Sequence, residues 1–222
     1  MPRPGVPDAY RRRAQAEGFV SRAVFKLQAM DARFRLFGPG QRVLDLGCHP
    51  GSWMQYLASR VGSDGMVVGV DLATPKLALA PPLYFVPGDV QSIDLAEICT
   101  HTSTFDAVVS DLAPKTTGVR VVDQQRSLDL ARRAWEIAQA VLVVGGHFLV
   151  KVFAGPDVAA LEIPLKKAFG TFHRVKPPGS RRESWELYLL GLGRRPPAGA
   201  AAGGPGAEGA DGSGSRGSGE GG

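Results

Sequence analysis

An α/β fold, with a mostly parallel sheet and helices on both faces, is the class this sequence predicts. Three observations carry it. Short apolar runs alternate with longer amphipathic stretches through most of the chain. The runs, such as VVGVD and FLVKVF, are nearly continuous in large apolar residues, the pattern of strands buried on both faces. The last two runs have no helix between them. A short connection joins antiparallel neighbours, so one strand of that pair runs against the others.

The elements follow in order. Residues 21–36 form a predicted helix: Val24, Phe25, Leu27 and Met30 fall in one stripe, and Ser21 is placed to cap it. QRVLDLG is the first strand, and residues 52–61 are helical. GMVVGVD and LYFVPGD are the second and third strands. A short helix over 93–100 leads to the fourth strand, FDAVVSD. A long helix over 121–143 leads to the fifth, GGHFLVKVF. Residues 158–169 are helical, with Lys166 and Lys167 near the end. Strands at 171–176 and 185–191, joined by the turn-rich PPGSRRES, complete a seven-stranded sheet. Ligands of such sheets bind at the carboxyl ends of the parallel strands.

Residues 196–222 are almost wholly Gly, Ala, Ser and Pro. They lack the apolar surface to offset chain entropy, so a disordered tail is expected. The chain carries a net charge of +5, and the tail, with Glu208, Asp211, Arg216 and Glu220, is net acidic. The basic excess therefore lies elsewhere. Arg3, Arg11, Arg12, Arg13, Arg22, Lys26, Arg33 and Arg35 precede the first strand, and Lys176, Arg181 and Arg182 form a second group. Such clustering suits a polyanion, although charge alone is equally consistent with a solvated surface. Cys48 and Cys99 offer no disulfide framework, which fits a reducing compartment. Their neighbours His49 and His101 do not follow zinc-ligand spacing, so no metal is expected. No apolar run is long enough to span a bilayer, and no secretory apolar region opens the chain.

The first strand leaves through VLDLGCHPGSW, a G-x-x-P-G-x-W turn. It lacks both the dinucleotide G-x-G-x-x-G and the lysine of a phosphate loop. Yet Asp71 ends the second strand, where an acidic residue takes ribose hydroxyls, and Asp89 ends the third at the same edge. Taken singly, Gly47 and Gly51 make a tight turn, and the aspartates cap helices. Together they describe a site for adenosine without a pyrophosphate. S-adenosylmethionine fits it: the sulfonium favours acidic surroundings, and Gly47 and Gly51 leave the backbone open to close approach. Trp53 either lines that pocket or packs in the core.

At the same edge, Asp111 ends the fourth strand and Lys151 interrupts the apolar fifth. A lysine in such a strand is costly to desolvate unless paired. An antiparallel last strand begins where the parallel strands end, and its start carries Glu183 and Glu186. Asp111, Lys151 and one of these acids therefore meet by topology. A structural ion pair would explain any one of them. Three converging on the cofactor edge favour catalysis. The chemistry is methyl transfer to a poor nucleophile such as a sugar hydroxyl, with a desolvated lysine as base or orienting partner.

SRAVFKL, VLDLGCHPGSW, VVSDLAP, GGHFLVKVF and SRRESWELYLLG, in this order, resemble the FtsJ/RlmE family of RNA 2′-O-ribose methyltransferases. The resemblance spans nearly all of residues 18–195, between a basic N-terminal extension (1–17) and the tail (196–222). It implies the Rossmann-like class I methyltransferase fold, with one antiparallel strand among seven, and S-adenosylmethionine as methyl donor. It also implies a Lys-Asp-Lys-Glu tetrad at Lys26, Asp111, Lys151 and Glu186. The family's glutamate directly precedes an aliphatic-tyrosine pair, which selects Glu186 over Glu183. Lys26 has its role from the resemblance alone. Cofactor contacts fall, by the same matching, on Gly51, Trp53, Asp71, Asp89 and Asp111. Cys48-His49 departs from the small residues usual there, and Lys115 stands where asparagine is common.

The resemblance further implies a cytoplasmic enzyme, expected to be monomeric. Its substrate would be a uridine ribose of large-subunit (23S-type) ribosomal RNA within the assembled subunit, with Arg12, Arg13, Arg181 and Arg182 on phosphates. Relatives that modify tRNA make tRNA the alternative substrate. A non-catalytic RNA-binding assembly factor of the same fold is a second alternative.

Overall fold

The structure is a computed structural model and describes residues 9–176 and 185–197. Its elements in chain order are α1 (Ala9–Ala16), α2 (Val24–Phe34), β1 (Arg42–Leu46), α3 (Ser52–Val61), β2 (Met66–Asp71), β3 (Leu83–Pro87), α4 (Leu95–Ile98), β4 (Phe105–Ser110), α5 (Arg120–Val141), β5 (Leu142–Phe153), α6 (Val158–Ala168), β6 (Phe169–Val175) and β7 (Glu186–Arg194). The strands form one seven-stranded sheet in the order β3-β2-β1-β4-β5-β7-β6. β7 is antiparallel to both β5 and β6, while β1 to β5 pair in parallel.

Both faces of the sheet are covered, which explains the unbroken apolar strands. Leu44, Leu46, Val68, Val108, Phe148 and Val150 pack with Ile98 of α4, Leu128 of α5 and Leu161 of α6. Alternate residues of the same strands, Val43, Val67, Val109 and Leu149, pack with Leu27 and Met30 of α2 and Met54 and Leu57 of α3. Burying such side chains contributes about 1.5–3 kcal/mol each.

Three expectations about local structure need correction. Residues 9–16 form a helix that the predicted N-terminal extension did not include. Its one buried residue, Ala14, packs on Val24 and Phe25, and so small an apolar face gives little periodicity to read. The next helix starts at Val24 rather than residue 21, with Ala23 as N-cap and no side-chain cap. Ser21 accepts a hydrogen bond from Ala23 N instead, closing a turn before the helix. The short helix after β3 narrows to Leu95–Ile98, where Asp94 and Glu97 make a capping box. The other elements agree to within a few residues of their predicted ends. Arg3, Arg181, Arg182, Glu183 and all but the first two residues of the predicted tail lie outside the described residues.

Helix α2 is fixed at both ends by α3, and this sets the position of Lys26. At its start, Trp53 Nε1 donates to Ala23 O (3.0 Å). At its end, the buried Asp31 carboxylate accepts from Leu36 N, Phe37 N and Tyr56 OH, and pairs with Arg60 (2.9 Å). Hydrogen bonds to a charged group contribute about 1.5–3 kcal/mol each, enough to offset burying that carboxylate.

Candidate active site

The turn after β1 is bare for two reasons. Gly47 and Gly51 have φ of 84° and 111°, the left-handed region that side chains disfavour. A Cβ on Gly51 would also sit 2.1 Å from Leu77 Cδ2, and one on Gly47 2.6 Å from Leu112 Cδ2. Cys48 turns into the core, and burial pushes its thiol far up, so it is inert. A Cβ on Gly69 would meet its sulfur at 2.8 Å, so the glycine of β2 makes the room. His49 N donates to Asp71 Oδ2 (2.9 Å), and its ring Nδ1 lies 3.1 Å from Thr74 O.

Asp71 and Asp89 stand at the ends of their strands and are tied down. Asp71 Oδ1 accepts from Ala73 N (3.0 Å), and Asp89 Oδ1 from Gln91 N (2.9 Å). Arg133 of α5 holds the Asp89 turn from behind, donating to the carbonyls of Val90 (3.1 Å) and Ile93 (2.9 Å). Trp53 is almost wholly buried, its N–H given to Ala23 and its ring 6.2 Å from that of Tyr188.

Strand register places the ionisable groups in rows on the face that carries α2 and α3. Asp45 pairs with Gly69 and Val109, and Val109 with Leu149. One residue pair further toward the carboxyl edge on that face, Lys151 pairs with Tyr188. Lys151 is 5% exposed. Its Nζ donates to Asp111 O (2.5 Å) and lies 3.0 Å from Asp111 Oδ1. Tyr188 OH donates to that same oxygen (2.5 Å). Burial first, then the Asp111 charge, pushes the Tyr188 hydroxyl well up, so it remains a donor. Glu186 is the next same-face residue of β7 and pairs with Phe153. Diagonal neighbours of this kind lie about 7–8 Å apart. Glu186 Oε2 accepts from Lys26 Nζ at 2.7 Å. The structure thus brings Lys26, Asp111, Lys151 and Glu186 to one edge as two ion pairs, across 160 residues of sequence for Lys26–Glu186.

Two residues of this edge were missed by sequence reasoning. Tyr188 could have been found, because a tyrosine in a buried apolar strand needs a partner for its hydroxyl. Asp45 could have been found on the ground that singled out Lys151, an ionisable group inside a strand buried on both faces. Its carboxylate is fully buried, and among the described residues nothing donates to either oxygen. Burial, then the charges of Asp111 and Asp71, pushes it well above the usual carboxylate range. The Asp45 carboxyl lies within the fields of Asp111 and Asp71, and acidic surroundings of this kind fit a positively charged ligand such as a sulfonium. No group of three or more His, Cys, Asp or Glu among the described residues is placed to hold a metal ion.

The loop from Asp111 to α5 is pinned where it meets the helix. Asp123, inside the first turn of α5, accepts from Thr117 N (2.7 Å), Thr117 Oγ1 (2.9 Å) and Gly118 N (3.1 Å). These bonds hold its carboxyl below the usual range. Lys115 lies on this loop, exposed.

A 3-2-1-4-5-7-6 sheet with a lone antiparallel strand, opening through a glycine turn flanked by strand-end acids, defines the class I methyltransferase fold. The sequence model for "FtsJ-like methyltransferase" matches residues 19–194, and the chain belongs to that family, whose methyl donor is S-adenosylmethionine. Among curated proteins, it is 41% identical over 191 residues to "Ribosomal RNA large subunit methyltransferase E" of Bdellovibrio bacteriovorus, covering 85% of this chain and 97% of that one. The protein of the same name from Sorangium cellulosum is also 41% identical, over 85% of this chain and 89% of its own. Among solved structures, a Plasmodium falciparum protein assigned as a ribosomal RNA methyltransferase superposes with a TM-score of 0.68 at 27% identity. That match covers 79% of this chain and 98% of the other.

Proposed function

We propose that the chain transfers a methyl group from S-adenosylmethionine to the 2′-hydroxyl of a uridine ribose in large-subunit ribosomal RNA. The observation that carries this reading is Lys151, buried in an apolar strand yet bound through its nitrogen to Asp111, beside the Lys26–Glu186 pair. The names of the relatives supply the large-subunit RNA.

Gly51, Trp53, Asp71, Asp89 and Asp111 are the residues proposed to hold the cofactor. When bound, it supplies an electrophilic methyl group, activated by the sulfonium charge. The protein's own part is positioning and proton handling. Asp111 receives two of the directions in which Lys151 Nζ bonds, through its carboxylate and its carbonyl. The remaining direction serves the ribose 2′-oxygen. In its amine form Lys151 takes the hydroxyl proton there, and Tyr188 keeps Asp111 from swinging away. Lys26 and Glu186 hold the neighbouring ribose oxygens, and the Lys26 ammonium stabilises charge growing on the nucleophile. The enzyme is proposed to act as a cytoplasmic monomer.

Mapping ribose methylation in large-subunit RNA from cells with and without this chain tests the assignment. One 2′-O-methyluridine should vanish without it, and unmethylated subunits should accept the tritiated methyl group from the purified protein. Label entering tRNA alone, or no label, would overturn the substrate.

The basic face of α1 is the proposed phosphate contact. Arg13 pairs with Glu17 (2.7 Å) and stacks on Phe25 (4.5 Å), so it serves the fold. Arg11 and Arg12 are exposed on the same helix. Changing both to Glu should flatten the salt dependence of RNA binding by about 1–2 in log–log slope. Calorimetry should find cofactor affinity unchanged.

Asp45 gives a pH signature. Its folded-state pKa is raised, so folding retains a proton that the unfolded chain releases above about pH 4. Stability is therefore lost as pH rises from there toward the folded pKa. D45N removes that loss. The ligand-free variant should melt higher than wild type, by a margin that widens with pH, and gain less on adding S-adenosylmethionine. A margin independent of pH would refute this.

A further inference from the structure

The edge carries one more feature that methyl transfer itself does not use. Arg120 opens α5, and its guanidinium lies 4.5 Å from the ring centroid of Trp185. Trp53 and Trp135 are buried, but Trp185 is 40% exposed, and Val119, Val121 and Val122, close by in sequence to Arg120, are exposed as well. Next to them a cleft of about 140 Å³ is lined by Val121, Gln124, Leu128, Phe153, Gly155 and Val158, with Asp157 also on its wall. Its backbone is held firmly: Ala154 N donates to Trp185 O (2.7 Å), and Gln124 Nε2 to Ala154 O (2.5 Å). Lys115 and Arg126, on the same loop and helix, add positive charge, and Arg126 Nη1 donates to Lys115 O.

Trp185 directly precedes Glu186, so their Cα atoms are about 3.8 Å apart. Successive strand residues point to opposite faces. Glu186 lies on the Lys151 face, and Trp185 is directed to the α5 face, where Arg120 meets it. A ribose held at Lys151 and Glu186 therefore cannot lay its own base on Trp185. The next nucleotide of a strand crossing the edge can.

We infer that Trp185 and Arg120 form a stacking platform for an unpaired nucleobase of the substrate RNA, in a nucleotide adjacent to the methylated one. This rests on the RNA-ribose reading above. An exposed indole accepts any base through its π-face, and a guanidinium layered on it extends the platform and counters phosphate charge. The Gln124 amide in the cleft wall has both a donor and an acceptor for the base edge.

The test uses the full-length protein and unmethylated large subunits. W185A should raise KM for subunits about tenfold, with kcat and cofactor affinity unchanged, and W185F should recover most of the loss. R120A should raise KM and lower the salt slope by about 1. Independently, a short single-stranded RNA of mixed sequence should quench the emission of wild type but not of W185F, which retains only the buried Trp53 and Trp135. This readout holds even if W185A folds poorly. An unchanged KM in W185A, or quenching that persists in W185F, would overturn the platform. Wild-type protein that methylates no RNA would overturn the functional reading instead, leaving the quenching to report on the platform separately.

Discussion

Lys151→Ala is expected to slow methyl transfer about 10³-fold while cofactor binding is retained. The size follows from what a positioned proton acceptor contributes, about 10²–10⁴-fold. The specificity follows from geometry. Lys151 Nζ contacts Asp111 from the β5 side, whereas the glycine turn follows β1, Asp71 ends β2 and Asp89 follows β3. Removing the ammonium leaves Asp111 with the Tyr188 hydroxyl as donor, so the carboxylate keeps its position. Lys151→Arg separates charge from proton transfer, because a guanidinium keeps the cation but does not surrender its proton. It should be nearly as slow as the alanine variant. Single-turnover methylation of subunits, with calorimetric cofactor binding, reads both quantities. An arginine variant close to wild type would show that Lys151 serves only as a charge, and an alanine variant close to wild type would remove it from the reaction.

Asp111→Asn should do more damage, because Asp111 serves three partners at once. One oxygen faces both Lys151 (3.0 Å) and Tyr188 (2.5 Å), and the carboxylate sits at the proposed cofactor edge. An amide oxygen can still accept, but its NH₂ turns a donor toward neighbours that are themselves donors. The Lys151 ammonium would stay buried with only neutral acceptors, and breaking a buried pair in this way costs about 3–5 kcal/mol. The expected result combines lower melting temperature, weaker cofactor binding and a rate loss at least as large as that of Lys151→Ala. A variant that binds cofactor normally and loses only rate would confine Asp111 to holding the lysine. A double variant with Tyr188→Phe would show whether the hydroxyl acts through the same oxygen: the two losses should then fail to add.

Much of this edge could be read from the chain before folding was considered. Apolar runs in a both-faces-buried pattern gave the strands, and the missing helix before β7 gave its reversal. These place the ends of β1 to β5 and the start of β7 along one line. Asp71, Asp89, Asp111 and Lys151 followed from chain order, with one of Glu183 and Glu186; the family resemblance chose Glu186. Asp45 was passed over, because an aspartate within LDL reads as the end of an apolar run until its burial is seen. Helix α1 was passed over because one buried alanine leaves no stripe to detect.

By itself, then, the sequence determined the fold class, the edge, and the strand residues that reach it. Strand periodicity of two and the topology of connections carry that information locally. Only the tertiary structure decided that Lys26 meets Glu186, that Tyr188 shares an oxygen with Lys151, and that Asp45 is buried without a donor. The reason is physical. The rotation and tilt of a helix on a sheet are set by contacts far away in sequence, here Trp53 on Ala23 and Tyr56 and Arg60 on Asp31. No local pattern around Lys26 encodes where those contacts turn it.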